Sequence, residues 1–456
     1  MKVLLVNFCE DACEYGPASS EYLRAQFLAT PDLHGRAEID ILFVERRTPA
    51  EIAEMILSAS PAPDLVGFTC FSWNIRENGD VCRELRRRGA DFPIVWGGCS
   101  FALFRERNDW FRWWDCVDAV AVGSGEYTLA ALARYLIDRP RPLRIEHALP
   151  GLVVNCAGTL DVGGPAPGPR HLDDFASPYL RGVRYRVRQP FIEMARGCKF
   201  ECTFCSDAKS SREGTWRVHS PGRIASEIAE VCRWPGTTIL DAGSSTANIN
   251  DAEFQTLCDA IRAGDPQRKL SYGFQMYPAL ARPIQRQALE GIRVDKLCFG
   301  VQSYTPQTWG PIKRKTTMAH MTRAMDTFGG VGTLQASLLL GLPGETLESF
   351  KHTFREVRDQ GWVVCVNRLL VLTGTQLHQT HEQHGLRFDE SLYYRVTSTP
   401  TMNEIDLARA QEFVENEVAK VTDEEWRRSG STPPIMWTNF DTQRTMFQPA
   451  NFRRSD

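Results

Sequence analysis

The feature that most constrains the fold is an alternation of short β-branched segments with amphipathic segments, repeated in two series along the chain. In the first series, the candidate strands are 3–7, 39–44, 65–69, 94–96 and 119–122, and helical patterns fall between them at 19–29, 50–59, 73–89 and 126–138. Strands that alternate with helices favour a parallel sheet covered on both faces. We therefore expect a doubly wound, Rossmann-like α/β domain over residues 1–156.

The second series follows a segment at 157–190 that is rich in Pro and Gly and is typical of a linker or strap. Its candidate strands are 191–195, 238–241, 270–275, 296–301, 334–340 and 363–370. Six such repeats predict a partial (β/α)6 barrel over residues 191–385, with its site at the carboxyl ends of the strands. Beyond residue 386 the periodicity fades, and we expect a small C-terminal cap or substrate region at 386–456.

Charge and composition narrow the classes of function. The 53 basic and 56 acidic side chains leave a net charge of −3, which provides no basic surface for nucleic acid or an anionic membrane. A small-molecule or peptide substrate is the expectation. The N-terminus lacks the features of a signal peptide, and no apolar stretch reaches the roughly 18 residues that span a bilayer. We therefore expect a cytoplasmic protein whose 14 cysteines are buried thiols or metal ligands.

Three of those cysteines form the most informative motif. The segment ARGCKFECTFC at 195–205 places Cys198, Cys202 and Cys205 at C-x3-C-x2-C spacing, directly after a predicted strand. Thiolates are the preferred ligands of iron–sulfur clusters. Three ligands for four irons leave one iron open to another molecule. The alternative is a structural zinc site, but zinc usually takes four protein ligands, and no second C-x2-C pair follows.

This spacing, with Phe204 before the last cysteine, resembles the signature of the radical S-adenosylmethionine (SAM) superfamily. The resemblance implies a [4Fe–4S] cluster whose open iron binds SAM. Two further segments, FGVQS at 299–303 and LGLPGET at 340–346, resemble the fourth and fifth barrel strands of the subgroup with coproporphyrinogen dehydrogenases and cobalamin-dependent enzymes. By that resemblance Gln302 and Arg314 contact the SAM ribose or carboxylate.

The chain departs from this subgroup at two positions. Many members hold the methionine amine with a GGE-like turn after the second strand, whereas this chain has DAGSS at 241–245. We expect Asp241 or Ser244 to substitute. An Asp that the subgroup often carries on strand five is Ser337 here.

The first 156 residues resemble the cobalamin-binding domain that is fused to such barrels. The resemblance lies in the segments 65–74, 93–98 and 119–126, and the similarity extends to about residue 385. No G-x-G-x-x-G follows the first strand, so a dinucleotide site is poorly supported. The residues that would line the cobalamin site are Thr69, Phe71, Ser72, Gly97, Gly98, Gly123, Gly125 and Glu126.

The resemblance implies an enzyme that combines SAM cleavage with methylcobalamin. We expect a cobalamin-dependent radical SAM methyltransferase acting on an unactivated carbon of a small-molecule or peptide natural product. It would be reduced by a donor such as flavodoxin or ferredoxin. One alternative is a cyclase or ring-rearranging oxidoreductase, and another is a non-catalytic corrinoid or iron–sulfur sensor. Candidate substrate residues at the barrel mouth are Tyr272, Gln275, Tyr277, Asn367 and Arg368.

Overall fold

The computed structural model describes residues 1–8, 18–44, 47–71, 74–98, 115–156, 159–181, 189–208, 216–390, 394–422, 425, 434–439 and 444–445. The chain divides into two compact units. Unit 1 comprises Met1–Ile192 and Arg217–Thr237, and unit 2 comprises Glu193–Trp216 and Thr238–Asp456. Within the described ranges, no helix combines the length and apolarity that crossing a membrane would require.

Unit 1 contains a seven-stranded sheet in the order β2-β1-β3-β4-β5-β6-β7. Its strands are β1 (Lys2–Phe8), β2 (Glu38–Val44), β3 (Leu65–Thr69), β4 (Ile94–Gly97), β5 (Ala119–Ala121), β6 (Leu152–Cys156) and β7 (Thr159–Val162). The described helices of this unit are α1 (Ala18–Leu28), α2 (Pro49–Leu57), α3 (Ile75–Arg87), α4 (Gly125–Ile137) and α5 (Pro221–Val231). The pairs among β1 to β5 are parallel, which confirms the predicted sheet.

The central strands are buried on both faces, as a doubly wound sheet requires. On β1, Leu4 and Val6 pack in one apolar cluster with residues of α2 and α3. Val3 and Leu5 pack in another cluster with residues of α1 and α4. The near-continuous apolar run of β1 therefore reflects helices on both sides.

The β6–β7 hairpin was not predicted. Strand β6 pairs antiparallel with β5, and β7 pairs antiparallel with β6, so the hairpin extends the parallel sheet at one edge. No residue of β7 is buried, and the Val162 side chain is 64% exposed. A short edge strand with so little burial lacks the hydrophobic pattern on which sequence prediction depends.

An eight-stranded sheet has the order β19-β18-β15-β14-β13-β12-β11-β8, and unit 2 contains all of its strands except β8, which ends at the first residue of unit 2. The remaining strands of the chain are β8 (Phe191–Glu193), β9 (Ala195–Arg196), β10 (Arg217–Val218), β11 (Ile239–Gly243), β12 (Ser271–Met276), β13 (Val294–Gln302), β14 (Thr333–Leu340), β15 (Val363–Arg368), β16 (Arg387–Asp389), β17 (Arg395–Ser398), β18 (Ile435–Asn439) and β19 (Arg444–Thr445). The remaining described helices are α6 (Asp251–Gly264), α7 (Pro283–Ala288), α8 (Pro306–Ile312), α9 (Met318–Phe328), α10 (Leu347–Asp359), α11 (Gln376–Gln379) and α12 (Glu404–Ala419).

Strands β11 to β15 are parallel, as expected for a partial barrel. Strand β18 lies in the C-terminal region, to which the sequence assigned no fold, and it extends the sheet as a parallel neighbour of β15. The hairpin of β16 and β17 and helix α12 precede it.

One face of this sheet is apolar and the other polar. On β14, Leu334, Ala336, Leu338 and Leu340 are buried and alternate with Gln335, Ser337 and other residues of the opposite face. We call that opposite face the polar face and define it by Asp241, Lys296, Cys298, Gln335 and Cys365. Cys298 Sγ lies 3.2 Å from Gln335 Oε1, and Lys296 Nζ lies 3.7 Å from Asp241 Oδ1.

Candidate functional site

The three motif cysteines lie on a loop that follows β9, and we call residues 197–208 the cluster loop. Its middle is tied to two other segments through Thr203. The Thr203 hydroxyl donates to Pro311 O at 2.8 Å, and the Thr203 N–H donates to Ile312 O at 3.2 Å. The Leu377 N–H in turn donates to Thr203 O at 2.8 Å. The end of α8 and the start of α11 thus fix the loop before any metal is bound.

Burial raises the pKa of the Cys205 thiol to about 12, and the charges of Asp207 and the other two cysteines add to this effect. Burial also raises the pKa of Cys198. Since metal binding requires thiolates, cluster assembly here must release protons. All three thiols lie on this one short loop, and their softness suits iron–sulfur ligation.

Among the residues that the structure describes, no three His, Cys, Asp or Glu side chains converge tightly enough to hold a single metal ion. Ligands of one zinc ion crowd together, because each sulfur lies about 2.3 Å from the same atom. The thiolates of a cubane bind different irons and therefore lie farther apart. The assignment of the loop to an iron–sulfur cluster rests on its three closely spaced cysteines, because thiolates are the preferred ligands of such clusters.

Arg314 links the cluster loop to the end of β13. Its Nη1 lies 3.5 Å from Cys202 Sγ, while Nη2 and Nε donate to Gly300 O at 2.6 and 3.1 Å. The guanidinium carbon also lies 4.0 Å from the centre of the Tyr277 ring, within range of a cation–π contact. The contact with SAM remains a prediction. The sequence had not indicated the contact of Arg314 with a cluster cysteine.

Steric crowding explains why the FGVQS segment has a glycine at position 300. A Cβ at Gly300 would lie 2.8 Å from Arg314 Nη2 and 2.9 Å from Gln302 Nε2, so a larger residue would displace both side chains. Gln302 itself has a φ of +69°, a left-handed conformation that is uncommon for residues other than Gly. Such backbone strain is often found at functional positions.

A buried carboxyl group behind Gln302 was not predicted. Ser303 Oγ donates to Glu345 Oε1 at 2.5 Å, and the other Glu345 oxygen is buried without a hydrogen-bond partner. Burial raises the pKa of Glu345 to about 8. The pair joins the end of β13 to the turn after β14. Its only sequence signal is the position of Glu345 inside the LGLPGET segment.

The two residues that were expected to substitute for the GGE-like turn have different surroundings at the end of β11. Asp241 lies on the polar face near Lys296. Ser244 is buried, and its hydroxyl has no hydrogen-bond partner. The next residue, Ser245, donates to Asp207 Oδ2 at 2.9 Å, and the Asp207 N–H lies 3.4 Å from Cys205 Sγ. Asp207 was not identified from the sequence, although it lies only two residues after the last motif cysteine.

The other predicted barrel residues differ in their placement. Tyr272 is wrong as a substrate residue, because it lies in the core with its hydroxyl 3.2 Å from Asp265 Oδ2. Arg368 donates to Val396 O at 3.0 Å, and Asn367 Nδ2 lies 3.6 Å from Cys365 Sγ. Of the remaining residues, Gln275 is exposed and Tyr277 is buried. Phe204 and Ser337 are half-buried.

In unit 1, the carboxyl ends of β1 and β3 carry a buried network of small polar groups. Asn7 Nδ2 donates to Ser20 Oγ at 3.0 Å, and Ser20 Oγ lies 3.2 Å from Thr69 Oγ1. Asn74 Nδ2 donates to Thr69 O at 3.0 Å. Asn78 has a buried Oδ1 without a hydrogen-bond partner.

Glycines bring the backbones of this edge close together. Gly98 has a φ of +128°, and a Cβ there would lie 2.4 Å from Cys70 O. Gly97 O accepts from the Cys70 N–H at 2.6 Å. The other predicted residues on this edge are Phe71, whose N–H donates to Asn74 Oδ1, Gly123 with a φ of +82°, Gly125 at the start of α4, and the buried Glu126. Ser72 lies outside the described residues.

Two protein-family models match the chain. The model of the B12 binding domain matches residues 21–133, and that of the radical SAM superfamily matches residues 192–357. These matches confirm the predicted cofactor classes and their order along the chain.

Individual relatives match more of the chain at low identity. The cobalamin-dependent radical SAM methyltransferase TokK of Streptomyces tokunonensis is 26% identical over 74% of this chain and 52% of its own length. The anaerobic magnesium-protoporphyrin IX monomethyl ester cyclase of Rubrivivax gelatinosus is 22% identical over 70% of this chain and 59% of its own length. The chain thus spans little more than half the length of these relatives.

A solved structure shows the same fold over nearly the whole chain. The radical SAM methyltransferase TsrM from Kitasatospora setae, with tryptophan substrate and a SAM analogue bound, superposes with a TM-score of 0.70. It is 18% identical, and the match covers 96% of this chain and 92% of TsrM. The chain therefore contains a B12 binding domain followed by a radical SAM domain, which are the two domain types that cobalamin-dependent radical SAM enzymes combine.

Proposed function

We propose that the protein is a cobalamin-dependent radical SAM methyltransferase that methylates an unactivated carbon of a small-molecule or peptide natural product. The observation that supports this most is the cluster loop, which presents three thiols at the carboxyl ends of barrel strands in a chain that also has a B12 binding domain. The relatedness to TokK supports the choice of methyl transfer.

In this proposal, Cys198, Cys202 and Cys205 hold the [4Fe–4S] cluster. Gln302, Arg314, Phe204 and the turn after β11 bind SAM. The strand ends around Thr69, Gly98 and Gly123 bind cobalamin. When bound, the cluster and SAM supply a hydrogen-abstracting radical, and methylcobalamin supplies the methyl group.

The residues around the loop can prepare this chemistry before any cofactor binds. Thr203 fixes the loop through three hydrogen bonds, so the cysteines are held without a large ordering cost on assembly. Arg314 brings positive charge to Cys202, which offsets part of the negative charge of a thiolate-bound cluster. Glu345 and Ser303 support the strand end that presents Gln302.

The unit 1 edge suits a large ring ligand for a different reason. Its side chains Asn7, Ser20 and Thr69 are small and are hydrogen-bonded to one another. The close backbone approach at Gly98 keeps side-chain bulk away from this strand end. Such an edge supports binding by shape and backbone contact more than by charge.

A second candidate is a cobalamin-dependent cyclase, which is favoured by the similarity to the Rubrivivax enzyme. The two functions differ in how they use SAM. A methyltransferase of this kind consumes one SAM for the radical and a second to remethylate cobalamin, so 5′-deoxyadenosine and S-adenosylhomocysteine form in equal amounts. A cyclase forms the first product without the second.

The test is to incubate anaerobically reconstituted, reduced protein with SAM labelled in its methyl group and with candidate substrates. Formation of both products, with the label in the substrate, is expected. Formation of 5′-deoxyadenosine alone would favour the cyclase. A protein that holds cluster and cobalamin yet forms neither product with any donor would instead be a sensor.

The proposal also requires a low-potential electron donor, for which flavodoxin or ferredoxin is suited, and a reducing compartment such as the cytoplasm. Eleven described cysteines, including the three of the cluster loop, form no disulfide with one another. Free thiols are typical of proteins that act where disulfides are kept reduced.

A further inference from the structure

We propose that Asp207, held by Ser245, binds the α-ammonium group of SAM and so replaces the GGE-like turn that this chain lacks. This inference rests on the proposed function, because it assigns a residue to the SAM site of the same enzyme. The group it would bind is a primary ammonium, whose three N–H donors require oxygen acceptors.

Position is the first argument. The Asp207 N–H lies 3.4 Å from Cys205 Sγ, so the residue is in direct contact with one ligand of the cluster. Its Oδ2 accepts the hydroxyl proton of Ser245 at 2.9 Å. Ser245 belongs to the turn after β11, which is the turn that holds the amine in enzymes with a GGE-like sequence. The fold therefore brings a carboxylate to that turn from the cluster loop.

The neighbouring Ser244 supplies a second acceptor. The residue is only 8% exposed, and its hydroxyl is buried without a hydrogen-bond partner. A buried hydroxyl with no partner costs free energy, and a donor from a bound ligand would remove that cost. Asp207 and Ser244 together offer a charged and a neutral oxygen to one ammonium group.

Charge is the second argument. Asp207 lies two residues after Cys205, and its N–H lies 3.4 Å from Cys205 Sγ, so its carboxylate adds negative charge close to the cluster ligands. A cluster held by three thiolates adds further negative charge to the same place. Arg314 offsets this charge at Cys202. A ligand ammonium beside Asp207 would offset it on the side of Cys205.

The alternative acceptor, Asp241, already has a cation nearby. Its Oδ1 lies 3.7 Å from Lys296 Nζ, and the two side chains flank Gly273, where a Cβ would lie 2.7 Å from Asp241 Oδ1. Because Lys296 already offers positive charge to this carboxylate, Asp241 is less suited than Asp207 to a second cation.

The test compares two ligands on two variants of the reconstituted, unreduced holoprotein. The ligands are SAM and its deamino analogue, in which hydrogen replaces the α-amino group, and their dissociation constants are measured by equilibrium dialysis. Asp207→Asn preserves shape and removes charge. We expect it to weaken SAM binding roughly tenfold to hundredfold, as for lost hydrogen bonds to charged groups, and to leave the affinity of the analogue unchanged.

The matched control is Glu201→Gln. Glu201 lies on the same loop, its carboxylate is 3.6 Å from Lys313 Nζ, and its side chain is 54% exposed. We expect both ligands to bind this variant as they bind the wild type. A redox titration followed by electron paramagnetic resonance gives a second readout. Without SAM, Asp207→Asn should raise the midpoint potential of the cluster, because a nearby negative charge disfavours reduction.

Equal losses for SAM and the analogue would assign Asp207 a structural role and overturn the inference, as would unchanged binding of SAM. If Asp207→Asn cannot retain the cluster, Ser245→Ala takes its place in the test. We then expect a smaller loss of affinity for SAM and no loss of affinity for the deamino analogue. These outcomes differ from failure of the proposed function, in which the wild-type protein itself would bind no cluster or no SAM.

Discussion

The two units present their strand ends to ligands in contrasting ways. In unit 2, the edge carries thiols and charged groups, with Arg314 at Cys202 and Asp207 at Cys205. In unit 1, the described edge consists mainly of small uncharged groups and close backbone contacts, such as those of Thr69 and Gly98, and Glu126 is its buried carboxyl group. Parallel strands place both edges by the same rule.

The same architecture, a parallel sheet with helices between its strands, thus supports two modes of ligand binding. A cluster and a zwitterionic nucleotide are recognised by charge and ligand chemistry, so single side chains of unit 2 should have large and specific effects. A corrin ring is recognised largely by shape, so the sensitive positions of unit 1 should be those where added bulk changes the backbone.

The largest effect is expected from removing the thiols of unit 2. Changing Cys198, Cys202 and Cys205 together to Ala should abolish binding of about four irons per chain, because no ligands for a cubane remain. Iron analysis and the absorption spectrum measure this. Cobalamin binding should persist. Cys232→Ala, a control thiol in unit 1, should keep the iron. Retention of a normal cluster in the triple variant would refute the assignment.

The next effect concerns backbone geometry in unit 1. Gly98→Ala adds a Cβ 2.4 Å from Cys70 O at a φ of +128°, so we expect a loss of about 3–5 kcal/mol in the free energy of unfolding. Weaker cobalamin binding should follow, with iron content unchanged. Urea denaturation and cobalamin titration provide the measurements.

The control Gly89→Ala distinguishes the cost of a left-handed backbone from the cost of a steric clash at the added Cβ. Gly89 has a φ of +83°, but a Cβ there meets no atom within 4 Å. It should therefore cost only about 1 kcal/mol, near the lower end of the range for left-handed backbone strain. If the two variants were equally destabilised, the close approach at Gly98 would not be the reason for its glycine.

The same contrast explains what the sequence could predict. Strand β3 was predicted with its observed bounds, Leu65–Thr69, because an apolar run buried on both faces is a strong local signal. Strand β7 was missed, since an exposed edge strand has no such pattern. The predicted domain boundaries and the cofactor contacts of the site residues stay predictions.

Within the site, local spacing was enough for the cysteines and insufficient for their surroundings. Cys198, Cys202 and Cys205 lie within eight consecutive positions, so one motif reveals them. Asp207 and Ser245 are 38 positions apart and meet only through the fold. The same holds for Ser303 and Glu345, which are 42 positions apart. Pairings of this kind depend on the arrangement of strand ends, which one sequence does not display.

A smaller effect is expected in the pH dependence of the free energy of unfolding, to which one buried carboxyl group in each unit contributes. Burial raises the pKa of Glu21 in unit 1 to about 7 and that of Glu345 in unit 2 to about 8. An acid with a raised folded-state pKa contributes stability that is complete below its unfolded value near 4.5 and is lost as the pH rises through the folded value. The loss should end near pH 7 for Glu21 and near pH 8 for Glu345.

The measurement is the free energy of unfolding between pH 6 and pH 8 for Glu345→Gln and Glu21→Gln. Relative to the wild type, Glu345→Gln should remove a decline of about 2 kcal/mol over this range, at a limiting slope of about 1.4 kcal/mol per pH unit. Glu21→Gln should remove a smaller decline. The exposed Glu348→Gln should change nothing. Identical profiles for Glu345→Gln and the wild type would place the titration elsewhere.

The smallest effect is expected from His34, the histidine of unit 1 most easily mistaken for a cobalt ligand. Many cobalamin proteins supply a histidine from a D-x-H-x-x-G motif in the loop after the first strand. The chain has Asp32-Leu-His34, but position 37 is Ala, and the loop after β1 contains no histidine.

The structure gives a physical reason to discount His34. It is exposed and follows the 3-10 turn Pro31–Leu33, and its Nε2 lies 2.8 Å from Leu28 O. It precedes β2, so it lies at the amino end of the parallel strands, whereas ligands bind at the carboxyl ends. A histidine on the wrong edge of the sheet cannot reach a cobalt bound at the other.

We therefore expect cobalamin to bind with neither its own base nor a histidine on the lower face. Electron paramagnetic resonance of the cob(II)alamin form should show cobalt hyperfine lines without nitrogen splitting, and His34→Ala should leave that spectrum unchanged. A weak lower ligand would favour transfer of the methyl group as a radical, which agrees with the proposed reaction. Nitrogen splitting that vanished in His34→Ala would show that the described edge of unit 1 is not where cobalt is held.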